Sequence, residues 1–177
     1  RLVFSSFASV YGDALETPMT EDHPFNNNNL YGATKIAGEQ LAKALHHRYG
    51  LNYVGLRYMN VYGARQDYKG AYIAVIMKIL DNLDKGMNPV LDGDGSQALD
   101  FVSVKDCALA NVLAMKSNIQ DQCYNVGTGI QTTLKELTNI IMDVYGKKME
   151  IKHIESKRTI VKNRVGSTVK AKSEIGF

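Results

Sequence analysis

The sequence predicts an α/β fold built on a parallel sheet, and three observations carry that reading. Short apolar runs of strand length alternate with stretches of helical periodicity from one end of the chain to the other. The opening run is followed by a long loop, a helix and a second strand ending at Tyr58, which is the order of a βαβ unit, so its two strands run parallel. No segment repeats and none is low in complexity apart from Asn26 to Asn29, so a single alternating pattern accounts for the whole chain.

The elements justify themselves in order. Leu2 to Phe4 is apolar and ends in small polar residues, as a buried parallel strand does at its carboxyl end. It opens the sequence without an initiator methionine, which predicts a start inside a domain. Residues Gly12 to Asn29 hold Gly12, Pro18, Pro24 and the asparagines, and a loop of that length favours a functional role. From Tyr31 to Tyr49 the pattern is helical, with Leu41, Leu45 and Tyr49 at every fourth position and Gly50 as the stop. Tyr53 to Tyr58 is the next strand. A helix is predicted from Tyr72 to Asp84, with Ile73, Ile76, Leu80 and Leu83 on one face. Strands Pro89 to Asp92 and Leu99 to Val104 flank the turn Asp92 to Gly95, followed by a helix from Asp106 to Lys116 and a strand from Cys123 to Val126. Thr133 and Glu136 form a capping box ahead of Leu134, Leu137, Ile141 and Val144. A strand from Met149 to Ile154 and a helix from Val169 to Ile175 complete the chain.

Composition narrows the function classes. The 177 residues suffice for one compact domain or parts of two, and 45% hydrophobic with 22% charged residues is ordinary for a soluble globular protein. No apolar run is long enough to span a bilayer, and Arg1 leads into a strand rather than a signal segment. Cys107 and Cys123 sit in apolar contexts and form no disulfide framework, which predicts a reducing cytoplasm. A net charge of +3 is that of a normally solvated surface, so neither nucleic acid nor membrane is expected as a partner. His23, His46, His47 and His153 show no metal spacing, and Asp92-Gly93-Asp94-Gly95 lacks the later acidic ligands of a calcium loop, so no metal is expected. No Gly-x-Ser-x-Gly elbow marks a hydrolase nucleophile.

The chemistry-bearing segment is Tyr31-Gly32-Ala33-Thr34-Lys35. Positions i and i+4 share a helix face, so the Tyr31 phenol and Lys35 ammonium project together. A phenol titrates near ~10 and is a poor base at neutrality. An adjacent ammonium is expected to lower that value and make Tyr31 a competent acid/base for a sugar hydroxyl.

Three segments set this pair in context: Ser5-Ser6-Phe7-Ala8-Ser9-Val10-Tyr11-Gly12, the Tyr-x-x-x-Lys itself, and Arg57-Tyr58-Met59-Asn60-Val61-Tyr62-Gly63. With Asp92-Gly93-Asp94-Gly95-Ser96-Gln97, Asp100-Phe101, Asp106, Tyr124-Asn125-Val126-Gly127-Thr128-Gly129, Lys170-Ala171 and Ile175-Gly176-Phe177, they run through nearly the whole chain in order. The sequence thereby resembles the extended short-chain dehydrogenase/reductases, and among them the nucleotide-sugar epimerases. The resemblance implies the C-terminal part of a Rossmann-type parallel sheet in residues 1–63 and a small α/β domain for the nucleotide sugar in residues 64–177. It implies NAD as cofactor, with Ser5, Tyr31, Lys35, Tyr58, Asn60 and Val61 on the cofactor side. Tyr31 is then the catalytic acid/base and Lys35 its electrostatic partner and ribose ligand. Asn60 meets the diphosphate of the nucleotide-diphosphate sugar, Val90 lies near the base, and Arg158 falls where the family places an arginine on the diphosphate. The basic stretch holding Arg158, Lys157, Lys162 and Arg164 reads equally well as a solvated face. The resemblance further implies a homodimer through the helix that follows Tyr31.

Three departures from the family accompany these matches. The Gly-x-x-Gly-x-x-Gly turn for the cofactor pyrophosphate is absent from this sequence. Counting back from Gly12, the catalytic Ser or Thr position is Phe7. Ser6 is the neighbouring hydroxyl and so a catalytic candidate, although strand alternation turns it to the side opposite Phe7. Leu99 stands where the family often has Arg or Tyr, and a diphosphate or ring contact is expected to be lost there. The reading is therefore a 4-epimerase acting through a 4-keto sugar, impaired in this chain. The alternatives are a non-catalytic nucleotide-sugar-binding remnant and a sugar-nucleotide 4,6-dehydratase, the latter opposed by Ala8-Ser9 where an Asp-Glu pair is expected.

Overall fold

A computed structural model describes residues 1–67, 74–155 and 162–177. Its main sheet has three parallel strands in the order β1 (Leu2–Phe7), β2 (Tyr53–Tyr58) and β7 (Gln122–Val126). β2 is central and buried along almost its whole length, as a continuous apolar strand covered on both faces should be. Gly55 is required there, because a Cβ would stand 2.6 Å from the Cys123 sulfur on β7.

Helix α1 (Leu30–Tyr49) begins where the Asn29 side chain accepts from the Gly32 N–H at 2.8 Å. It ends at Gly50, whose left-handed backbone (φ 69°) closes the last turn. The helix lies close on β1 because two of its residues lack side chains. A Cβ on Gly38 would fall 2.3 Å from the Phe4 ring, and one on Gly32 would fall 2.5 Å from the Ser9 carbonyl. Side-chain alternation sorts the two faces of the sheet. Ser6 and its register partner Arg57 meet Glu39 of α1, whereas Tyr58 meets Asn111 of α3 (Val104–Lys116), so α1 and α3 cover opposite faces.

Past β2 the chain forms β3 (Asn60–Tyr62), α2 (Val75–Asp84), β4 (Val90–Asp92), β5 (Ala98–Leu99) and β6 (Phe101–Ser103). β3 pairs with β6 in parallel register. After β7 come β8 (Thr132–Thr133), α4 (Leu134–Tyr145), β9 (Lys152–Ile154), β10 (Asn163–Arg164) and α5 (Val169–Ile175). The Thr133–Glu136 capping box is formed in full. The helix expected from Tyr72 starts at Val75, and Tyr72 and Ile73 lie outside the described residues. The strand expected over Leu99 to Val104 is two short ones, because Asp100 breaks it to bond elsewhere.

Two apolar cores result. One gathers Val10, Tyr11, Val54, Leu56, Met59, Val102, Cys107, Tyr124, Val126 and Ile175; the other is Ile79, Leu83, Leu91 and Met142, between α2, α4 and β4. The break expected after residue 63 does not separate them. α3, β7 and α5 come from the second half of the chain and pack into the first core, because a parallel strand can be added only by a crossover through a helix. Cys107 and Cys123 are free thiols. Among the described residues no helix is long and apolar enough to cross a membrane.

Candidate functional site

The close approach of α1 to β1 decides where the Tyr31 group sits. Tyr31 lies in the first turn of the helix, over the carboxyl end of β1, where its ring meets Phe7 edge-on with centroids 5.6 Å apart. Lys35, one turn later, donates from Nζ to the Ser5 carbonyl at 2.8 Å and stands 5.4 Å from the centre of the Tyr31 ring. The i, i+4 pair is thus together, at the carboxyl edge of a parallel sheet, where α/β folds bind ligands. The Tyr31 hydroxyl has no hydrogen-bond partner among the described residues, and its ring is half exposed (53%). Lys35 spends one of three donors on Ser5, which leaves two for a diol.

One electrostatic expectation is reversed. Burial pushes the Tyr31 phenol above its ordinary value, whereas the sequence led us to expect the lysine to lower it. The cause is placement: the Lys35 ammonium is anchored on a backbone carbonyl over the ring face, not at the hydroxyl.

The structure also corrects Ser6. It is buried, and its hydroxyl donates to Glu39, whose carboxylate forms a two-pronged pair with Arg57 at 3.0 and 2.7 Å. Arg57 also donates to the Tyr11 hydroxyl at 2.9 Å and the Glu21 carbonyl at 2.8 Å, and Tyr11 donates to Asn125 at 2.7 Å. Ser6 is therefore a member of a closed network under α1, not a hydroxyl at the Tyr31 ring, because its strand position alternates away from Phe7. Sequence reasoning named Arg57 only as part of a motif. The buried Glu39 on an otherwise apolar helix face was the signal that it needed a cation.

The remaining candidates stand as follows. Ser5 is exposed, its Oγ 3.3 Å from the Tyr58 hydroxyl, which accepts from Asn111 at 2.7 Å. Asn60 and Val61 are half-buried on β3, opposite Phe101 and Val102. The Asn60 amide donates to the Asp100 carbonyl at 3.1 Å and retains its second N–H. Asp100 is fully buried; its carboxylate accepts from the Thr128 N–H, the Thr128 hydroxyl and the Gly129 N–H at 2.7–2.9 Å. It ties the loop after β7 to β3, and Gly127 is needed because a Cβ would meet that carboxylate at 2.4 Å. Val90 is exposed on β4 beside Lys152. Arg158 lies outside the described residues. Among the described residues no group of three His, Cys, Asp or Glu is disposed to hold a metal ion.

Residues 1–127 match the model of the NAD dependent epimerase/dehydratase family. The chain is 42% identical over 151 residues to a putative UDP-glucose 4-epimerase of Methanocaldococcus jannaschii, covering 85% of this chain and 48% of that protein. Its fold superposes with a TM-score of 0.95 on UDP-N-acetylglucosamine 4-epimerase from Methanobrevibacter ruminantium, in complex with UDP-N-acetylmuramic acid, at 36% identity over 99% of this chain and 56% of that one. It superposes with a TM-score of 0.89 on a dTDP-glucose 4,6-dehydratase from Streptomyces venezuelae with NAD bound, at 27% identity over 99% of this chain and 53% of that one. The chain therefore spans about half the length of the relatives it matches. A sheet of order β1-β2-β7 with the Tyr31 and Lys35 side chains at its carboxyl edge, matched along 127 residues, makes this chain a member of the NAD dependent epimerase/dehydratase family.

Proposed function

We propose that the protein acts in the epimerisation of a nucleotide-diphosphate sugar at C4. The observation that carries the reading is the juxtaposition of the Tyr31 phenol, free of internal partners, with the Lys35 ammonium 5.4 Å from its ring centre. NAD, when bound, supplies the reversible redox chemistry at the sugar carbon. Lys35, with two donors unspent, suits the ribose diol of such a cofactor, and Tyr58, Ser5 and Val61 border the same strand ends. Tyr31 takes the proton from the sugar hydroxyl and returns it once the keto sugar has turned over. Asn60, with one amide N–H free, serves a diphosphate oxygen. The bound ligands also change the electrostatics: the phenol is raised by burial here, and a cationic nicotinamide brought beside it would lower it.

The edge contact between Phe7 and Tyr31 favours a second reading, a nucleotide-sugar-binding chain that turns over slowly. The benzyl group fills the place of a hydrogen-bond donor beside the reacting oxygen. The exposed outer residues of α1, Leu41 among them, support a homodimer through that helix, and the two free thiols support a reducing compartment, the cytoplasm. Calorimetric titration with UDP-glucose, with and without NAD, tests the proposal. Saturable binding of UDP-glucose that strengthens or persists with NAD is the expected result; absence of binding in both arms would refute it.

A further inference from the structure

Ser5, Ser6, Ser9 and Thr34 are the serine and threonine side chains of residues 1–10 and of α1, and none of them is open at the Tyr31 ring. Ser6 donates to Glu39 beneath α1, and the Ser5 Oγ lies 3.3 Å from the Tyr58 hydroxyl. Thr34 donates back to the Tyr31 carbonyl at 2.7 Å. The Ser9 Oγ is sealed from solvent without a partner among the described residues. The side chain that does meet the phenol is Phe7, whose ring carries no hydrogen-bonding group.

The two rings make a corner. Their planes are inclined at 68° with centroids 5.6 Å apart, so an edge of one touches the other and their remaining surfaces diverge. Tyr31 is 53% exposed and Phe7 is half-buried, so both walls border the opening at the carboxyl edge of the sheet. One wall ends in an unpartnered hydroxyl, and the other is apolar throughout. A ligand in such a corner offers its hydroxyl to Tyr31 and its C–H bonds to Phe7, since a hydroxyl turned to the benzyl group gives up water without a replacement. The negative face of an aromatic ring also favours the weakly positive hydrogens of a C–H patch.

The C4 epimers of a pyranose differ in how well they fit that corner. In the galacto configuration the hydrogens on C3, C4 and C5 share one face, and the 4-hydroxyl stands axial on the other. In the gluco configuration the C4 hydrogen crosses to the opposite face, and the hydroxyl turns equatorial, to the rim of the patch. We propose that Phe7 is a specificity residue, which makes the site prefer the axial, galacto-configured sugar nucleotide over its gluco epimer. The inference rests on the reading above that Tyr31 meets the C4 hydroxyl of a nucleotide-diphosphate sugar, and it adds which epimer the site holds more tightly.

The experiment measures Kd for UDP-galactose, UDP-glucose and UDP by calorimetry on the wild-type chain, Phe7→Leu and Phe7→Ser. An unpaired hydroxyl against the ring predicts that the wild type binds UDP-galactose at least about fivefold more tightly than UDP-glucose. Phe7→Leu keeps part of that preference, because the wall stays apolar without its flat face. Phe7→Ser erases it, because a serine hydroxyl receives the equatorial oxygen. UDP, which has no sugar to place in the corner, binds all three chains alike. A wild type that binds both epimers equally, or favours UDP-glucose, overturns the inference, as does an undiminished preference in Phe7→Ser. Loss of all three ligands in both variants also overturns it, since Phe7 would then be part of the framework. A wild-type chain that binds neither UDP-sugar fails earlier, at the proposed function itself.

Discussion

Under α1, the polar side chains of Ser6, Tyr11, Glu39, Arg57 and Asn125 spend their hydrogen-bonding capacity on one another, while Tyr31 and Lys35 at the carboxyl edge of the same sheet, Asn60 on β3 and Arg164 on β10 keep donors unspent. Both regions bury polar groups, and both draw on β1 and β2. The closed network is a fixed part of the fold, since every group that left water there has found a replacement. The open one keeps donors that the fold itself does not use, on Tyr31, Lys35, Asn60 and Arg164. Saturation, more than burial, separates framework from site in this molecule.

Four substitutions or titrations put that contrast at risk, beginning with the largest effect. Glu39→Ala leaves Arg57 buried without its carboxylate and should cost about 3–5 kcal/mol in urea denaturation; a loss below about 1 kcal/mol would mean the network is not closed. Phe7→Ser, in a chain joined to a nucleotide-binding N-terminal half from a relative, should raise kcat at least about a hundredfold by restoring a donor beside Tyr31. Equal kcat values would mean that a water or another hydroxyl already fills that role. Raising pH weakens the fold at its buried phenols, of which Tyr11 belongs to the closed network. Burial raises the Tyr11, Tyr53 and Tyr124 phenols above their unfolded value of 10.0, so their contribution is fully present below that value and is lost as pH climbs beyond it. Denaturation midpoints should therefore be steady from neutrality to about pH 9 and fall above 10, less steeply in Tyr11→Phe. The smallest effect belongs to Tyr31→Phe, which removes an unpartnered hydroxyl and should change stability by no more than about 0.5 kcal/mol. A larger loss would place Tyr31 in the framework.

Much of this was readable from residues alone, and the gaps have physical causes. The Tyr31–Lys35 pair was legible because i, i+4 geometry is local, and the same holds for the Thr133–Glu136 cap. The parallel sheet followed from one βαβ unit, but the return of β7 and α3 into the first core is a crossover, invisible to a linear cut at residue 63. Ser6 was misassigned because proximity in sequence says little about which side of a strand a side chain takes, even though alternation already pointed away from Phe7. The direction of the Tyr31 shift was missed because Lys35 could reach either the phenol oxygen or the Ser5 carbonyl, and only coordinates choose between them. Arg164 looked like one more charge in a basic tail. Its burial depends on pairing between β10 and β5, two strands of two residues each, which no periodicity announces.

The two free thiols have a practical consequence. Burial pushes Cys107 up to about 11 and Cys123 up to about 12, so at neutral pH almost no thiolate is present at either position. Alkylating reagents act on the thiolate, and Gly55 pressed against the Cys123 sulfur leaves little room for an adduct. The folded chain is therefore a nearly silent background for maleimide chemistry. A single cysteine introduced at exposed Leu15, on the loop between β1 and α1, would carry a fluorophore alone, and its emission could report the arrival of a ligand at Tyr31 without either native cysteine being removed.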